Sequence, residues 1–167
     1  NKTMPHLSPR HPGIWMARLA AVCLLLCMAV ADTMADGRIK VACIGNSVTY
    51  GYGIEGRDSL AYPAQLQRML GDNYEVRNFG KSGATLLRHG HRPYNEQKEY
   101  RKALEYGAEI VVVHLGLNDT DPRNWPNFRD EFEHDYRQLI DSLQAAAPEG
   151  HLKRLVICLM TPIFSGH

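Results

Sequence analysis

The sequence predicts an α/β protein built on a parallel sheet with helices on both faces, and three observations carry the prediction. Four short apolar runs, Ile39 to Gly45, Tyr74 to Phe79, Glu109 to Leu115 and Leu155 to Met160, alternate with segments whose apolar residues recur at helical spacing. The run Ile110-Val111-Val112-Val113 is apolar at every position, as a strand buried on both faces must be. Each of the first three runs ends at or beside a glycine followed by polar residues. Strand–helix alternation of this kind implies right-handed crossovers and strands whose carboxyl ends share one edge of the sheet.

The elements follow in order. The first strand stops at Gly45, and a glycine-rich loop from Gly51 to Ser59 leads to Tyr62–Gly71, where a proline near the start, helical apolar spacing and a terminal glycine mark a crossover helix. Tyr74 to Phe79 is the second strand. Tyr94 to Tyr106 is a more polar helix stopped by Gly107, and Glu109 to Leu115 is the third strand. Asn127 is placed to cap a long helix whose stripe of Phe128, Phe132, Tyr136, Leu139, Ile140 and Leu143 ends at Pro148. Leu155 to Met160 is the fourth strand. Cys43 and Cys158 lie in apolar strands and read as buried free thiols.

Length and composition suit one domain: 167 residues, 44% apolar, with 19 basic and 18 acidic side chains. No basic excess points to nucleic acid. Residues 1–31 stand apart. Arg10 and Arg18 precede the apolar stretch Leu19 to Ala31, which ends in a small-x-small pattern, so they read as a secretory signal peptide with Met16 as a start, cleaved near Ala31. The stretch is short for a membrane span, which needs about 20 residues, so no stable membrane insertion is expected after cleavage. Leu24-Leu25-Leu26 lacks the small residue that lipidation of Cys27 requires. Removing residues 1–31 takes away three basic residues and no acid, leaving the remaining domain, residues 32–167, slightly acidic. The expected location is secreted or periplasmic.

Chemistry concentrates at the strand ends. Gly45-Asn46-Ser47 puts a hydroxyl just past the first strand, where open α/β sheets keep their sites. Ser82-Gly83-Ala84-Thr85 follows the second, and Gly116-Leu117-Asn118-Asp119 the third. This ordered set resembles the SGNH (GDSL-type) hydrolases, and the wording around it is similar to their bacterial sialate O-acetylesterase branch, over residues 38 to 163. The resemblance implies a three-layer α/β/α flavodoxin-like fold and a serine esterase that deacetylates a small-molecule or glycan ester, with no cofactor and no metal. It implies Ser47 as nucleophile. The backbone N–H groups of Ser47 and Gly83 and the carboxamide of Asn118 are then the oxyanion donors, a set in which glycine allows close approach and a neutral amide brings no charge. Trp125 and Arg92 are candidates for binding the sugar, the first by stacking and the second by pairing with a carboxylate.

Two departures from the family pattern stand out. Asn46 occupies a position that is usually aspartate, and the Asp-x-x-His block that holds the family's base does not occur. The expectation is therefore a domain truncated at its carboxyl end, lacking a strand, a closing helix and the catalytic His and Asp. A lysophospholipase or thioesterase of the same fold, and a glycan-binding relative without catalysis, are the alternatives.

Other motifs have plainer readings. Gly51-Tyr52-Gly53-Ile54-Glu55-Gly56 matches a dinucleotide pattern but begins too far beyond the strand, and Gly80-Lys81-Ser82 lacks the rest of a phosphate loop. Glu131 and His134 read as a solvated helix face, His89 and His91 as a surface loop, and His114 as a packed histidine; a role for His167 is only a guess.

Overall fold

The computed structural model describes residues 37–160, and the signal-peptide reading and His167 lie outside the described residues. Four strands, β1 (Ile39–Gly45), β2 (Tyr74–Gly80), β3 (Ile110–His114) and β4 (Arg154–Ile157), form one sheet in the order β2-β1-β3-β4. All pairings are parallel. The longest buried stretch falls on β1, where Val41 to Gly45 are all enclosed, because it has a neighbour on each side and helices above and below.

The seven helical segments that matter here are α1 (Ser47–Tyr50), α2 (Arg57–Leu60), α3 (Tyr62–Leu70), α4 (Lys98–Tyr106), α5 (Trp125–Phe128), α6 (Phe132–Ala146) and a 3-10 turn at Leu117–Thr120. On one face, Ala42, Ile44, Val111 and Val113 pack with Ala103 and Tyr106 of α4 and Leu139 and Leu143 of α6. Fully burying side chains such as Ile44 or Val113 stabilises the fold by about 1.5–3 kcal/mol each. On the other face α3 lies over β2, and its Tyr62 hydrogen-bonds the Cys43 thiol, which burial pushes up to about 12. Both Cys43 and Cys158 are free thiols, as the sequence predicts, but only Cys43 is buried; Cys158 lies just past β4 and is half-buried.

Three sequence expectations need correction. The helix expected over Tyr94 to Tyr106 is a 3-10 turn at Tyr94–Glu96 followed by α4, separated by extended Gln97. The cause is tertiary: Tyr94 is buried, its hydroxyl donates to the Phe79 carbonyl at 2.7 Å, and its N–H donates to the Thr85 carbonyl. The helix expected from an Asn127 cap starts earlier, at Trp125, and breaks at Phe128 before resuming at Phe132. Asn127 caps nothing, because Asn124 precedes the turn and is drawn into the interior. The Gly51 to Ser59 stretch is not loop throughout, since Arg57–Leu60 is helical. The Gly51 φ of +83° ends α1, which accounts for the dinucleotide-like spacing without a ligand.

Candidate active site

The sheet register sets the stage. Gly45 of β1 lies opposite Gly80 on one side and His114 on the other, so the segments carrying Ser47, Gly83 and Asn118 leave the sheet at one level. Two glycines let α1 sit directly on these ends. A Cβ on Gly45 would fall 2.0 Å from Thr49 Oγ1 and 2.7 Å from the His114 carbonyl oxygen, and one on Gly80 would fall 2.3 Å from the Tyr50 backbone nitrogen. The Asn78 amide donates to the Thr49 carbonyl at 2.7 Å, tying α1 to β2. Asn46, fully buried, accepts the Val48 N–H at 3.0 Å and caps α1. That explains why an amide serves where the family pattern has a carboxylate: capping needs only an acceptor oxygen. Ser47 is thereby held half-exposed at the first position of α1.

The second and third segments are joined to each other by buried side chains. Lys81 N–H donates to the Gly45 carbonyl at 2.8 Å, and the chain then turns through Gly83, whose φ of +77° only glycine adopts without strain. One N–H of the Asn118 amide donates to the Ala84 carbonyl at 2.8 Å. An amide has two such hydrogens, so the second is left for a ligand. Asp119 is fully buried and accepts the N–H groups of Leu86 and Leu87 at 2.9 and 2.7 Å. Burial raises its carboxyl above the usual range, an effect only partly offset by those donors and by His91 nearby. Asn124, 1% exposed, accepts the His91 N–H and donates to the Asn118 carbonyl, each at 2.9 Å.

Sequence reasoning missed Asp119 and Asn124 as organising residues. The available signal was two polar side chains five and ten residues beyond the end of β3. That both turn inward depends on a loop more than thirty positions away, roughly 100 Å of fully extended chain.

The remaining candidates fall at different distances from this cluster. The Arg92 guanidinium donates to the Ser82 carbonyl at 3.0 Å and lies against Gly83. Trp125 opens α5, is 38% exposed and meets Phe132 edge-on at 5.5 Å. His91 is exposed on its loop, as expected, and its ring also contacts buried Asn124 at 2.9 Å. His89 pairs with Glu131 at 2.7 Å, while His134 contacts Gln138 on an exposed helix face as expected. His114 is half-buried, with Nδ1 enclosed and unpartnered. Ser47 Oγ has no hydrogen-bond partner among the described residues, histidine included. No three His, Cys, Asp or Glu side chains among the described residues come together to hold a metal ion. No helix among the described residues is long and apolar enough to cross a membrane.

The sequence model of the GDSL-like lipase/acylhydrolase family matches residues 43–166, which takes in all three segments just described. The chain belongs to this family. Within the GDSL-like family setting, an acetylxylan esterase of Xylanibacter ruminicola (strain ATCC 19189 / DSM 19721 / CIP 105475 / JCM 8958 / 23) is 40% identical over 145 residues, covering 77% of this chain. The chain spans 30% of the length of that relative. Among solved structures, a mutant of the esterase AlinE4 is similar with a TM-score of 0.50 and 22% identity, over 72% of this chain and 58% of that one. This last likeness bears on the fold, and it agrees with the parallel, helix-covered sheet of a GDSL-like hydrolase.

Proposed function

We propose that this chain carries the nucleophile and oxyanion hole of a secreted esterase that removes acetyl groups from a carbohydrate through an acyl-serine intermediate. One observation carries the reading: Ser47, the Gly83 turn and Asn118 converge at one edge of the sheet, with Asn118 bonded to the carbonyl beside Gly83. Ser47 Oγ attacks the acetyl carbonyl while a base accepts its proton. The N–H groups of Ser47 and Gly83 and the free N–H of Asn118 hold the oxyanion that forms. The sugar hydroxyl leaves with that proton, and water, activated in the same way, releases acetate. The base is assigned to a histidine outside residues 37–160, since none within them touches Ser47 Oγ.

The substrate class is supported by the 40% identical acetylxylan esterase, which favours acetylated xylan, and by the likeness of the motifs to sialate O-acetylesterases, which favours acetylated sialic acid. Half-exposed Trp125 offers a ring face for a sugar near Asn118. Secretion is supported by the Arg18-led apolar stretch up to Ala31.

The decisive experiment is Ser47→Ala in the natural full-length protein, with 4-nitrophenyl acetate as substrate. Turnover is expected to fall by about a million-fold, and Asn118→Ala by about a hundred- to a thousand-fold. Undiminished hydrolysis in Ser47→Ala would refute the assignment. Turnover of acetylated xylan against acetylated sialic acid decides the sugar.

A further inference from the structure

Beside the Gly83 turn lies a hollow of about 460 Å³, walled by Tyr50 and Tyr52 and ringed by Arg57, Lys81, Arg92 and Lys98, with Glu99 as its one acid. We propose that it is a subsite for a carboxylate-bearing sugar, so that the preferred ester is an acidic glycan. The inference rests on the esterase reading above, because it takes Gly83 as the place where the acetyl group is held.

Charge is the first argument. Four cations face one carboxylate, although the whole chain is nearly neutral, with 19 basic and 18 acidic residues. Lys81 is paired across the hollow with Glu99 at 3.5 Å, and Arg57 is paired with Asp58 at 3.4 Å. Arg92 and Lys98 have no carboxylate partner among the described residues, and Arg92 spends a single N–H on the Ser82 carbonyl. Its guanidinium therefore keeps a fork of donors suited to bidentate contact with a carboxylate. Lys98 stands at the first position of α4, where the helix dipole disfavours a cation, and Gln97 makes no side-chain cap there. A bound anion satisfies both the lysine and the free N–H groups of that helix end.

The floor supplies the second argument. Ser82 Oγ and Glu99 Oε2 are enclosed yet have no hydrogen-bond partner. Both residues line the hollow, so a ligand that shifts either side chain slightly offers a hydroxyl to an atom that lacks a partner. A simple anion suits the cations but not the acceptor on Glu99. A sugar acid offers both a carboxylate and hydroxyl donors. The walls fit as well: Tyr50 is stiffened by the Arg57 guanidinium stacked 3.9 Å over its ring, and Tyr52, 75% exposed, presents a ring face at the rim. The hollow continues into a second one of about 260 Å³ that shares Tyr50, Arg57, Lys98 and Glu99 and adds Lys102 and the acid Asp58, which gives room for the next residue of a chain.

The test compares kcat/KM of the natural full-length protein for acetylated glucuronoxylo-oligosaccharides, O-acetylated sialic acid and acetylated neutral xylo-oligosaccharides, with 4-nitrophenyl acetate alongside. One acidic ester is expected to exceed the neutral one by about tenfold at low salt. The preference should lie in KM, and should shrink severalfold by about 0.5 M salt because the cations are solvent-accessible. Which acidic ester wins identifies the source of the carboxylate. In Arg92→Gln and in Lys98→Gln, both exposed positions, the preference is expected to drop toward unity. Equal kcat/KM on acidic and neutral esters, with Ser47-dependent hydrolysis of 4-nitrophenyl acetate intact, overturns the subsite and leaves the esterase reading standing. Saturable binding of trigalacturonate that weakens in Lys98→Gln, in a protein that cleaves no ester, keeps the subsite and overturns the esterase. Competition by inorganic phosphate as effective as that by glucuronate overturns the sugar assignment.

Discussion

The segment carrying Ser47 and the arms carrying Gly83 and Asn118 are held by different means. Ser47 is positioned by contacts close to it in sequence or directly beneath it: the Asn46 cap, and glycines at 45 and 80 that let α1 rest on the strand ends. The Gly83 and Asn118 arms are held by two buried side chains, Asp119 and Asn124, that reach loops more than thirty residues away. The difference teaches that the turn carrying Ser47 can be specified by absence of volume, whereas the two facing arms are tied together by polar bonds from buried side chains.

The largest test of this contrast is Gly80→Ala. Its Cβ would meet only backbone atoms, at 2.3 to 2.8 Å, so α1 must shift bodily. The expected loss is about 3 kcal/mol, read by urea unfolding, together with loss of esterase activity. A neutral result would show that the Ser47 segment is not sterically set.

Asp119→Asn comes next. The amide keeps the shape but replaces one acceptor oxygen with a donor, leaving the N–H of Leu86 or Leu87 unpaired at a cost of about 1–3 kcal/mol. As a positioning change it should lower kcat for 4-nitrophenyl acetate more than it raises KM. If KM alone moves, the arms are not what Asp119 holds.

On the Ser47 segment, Asn46→Ala removes a single cap bond and should cost about 1 kcal/mol, measured by thermal unfolding. Asn46→Asp, which retains the acceptor, should restore capping to α1 while placing a charge in a fully buried site. The comparison of the two variants separates the cap from the burial.

The smallest effect at neutral pH concerns Cys43, which lies on β1 below both regions. Its thiol is held near 12 in the folded protein, mainly by burial, against about 9 unfolded. The folded state therefore keeps a proton that the unfolded state gives up, and stability must fall as pH rises from about 9 toward 12, by about 1 kcal/mol per pH unit. Cys43→Ala is expected to flatten that slope while leaving the neutral-pH site geometry intact. An unchanged alkaline slope in the variant would place the titration elsewhere.

Much of this was legible because it rests on local pattern. The four apolar runs became four parallel strands, but β3 encloses only alternate residues and β4 ends at Ile157 with three of its four residues exposed, because one side of β4 has no neighbouring strand among the described residues. The Gly-x-Ser, Gly-x-Thr and Gly-x-Asn segments were readable because a strand end followed by glycine leaves few alternatives. What escaped the sequence were long-range choices. Local propensity favours one helix from Tyr94 to Tyr106, but a buried hydroxyl bond from Tyr94 to Phe79 breaks it at Gln97. Local pattern offers Asn127 as the cap, but the helical turn starts earlier and Asn124 turns inward, where it accepts the His91 N–H.

The sequence by itself therefore determined the strands, their helix covers and the position of Ser47 beyond β1, because these follow from periodicity and from glycine's lack of a side chain. Tertiary structure alone decided that Asp119 and Asn124 bind the Gly83 and Asn118 arms together and that Arg92 and Lys98 gather around one hollow. These are contacts between residues far apart in the chain. Their energies come from desolvation and pairing in the folded interior, which no window of sequence contains.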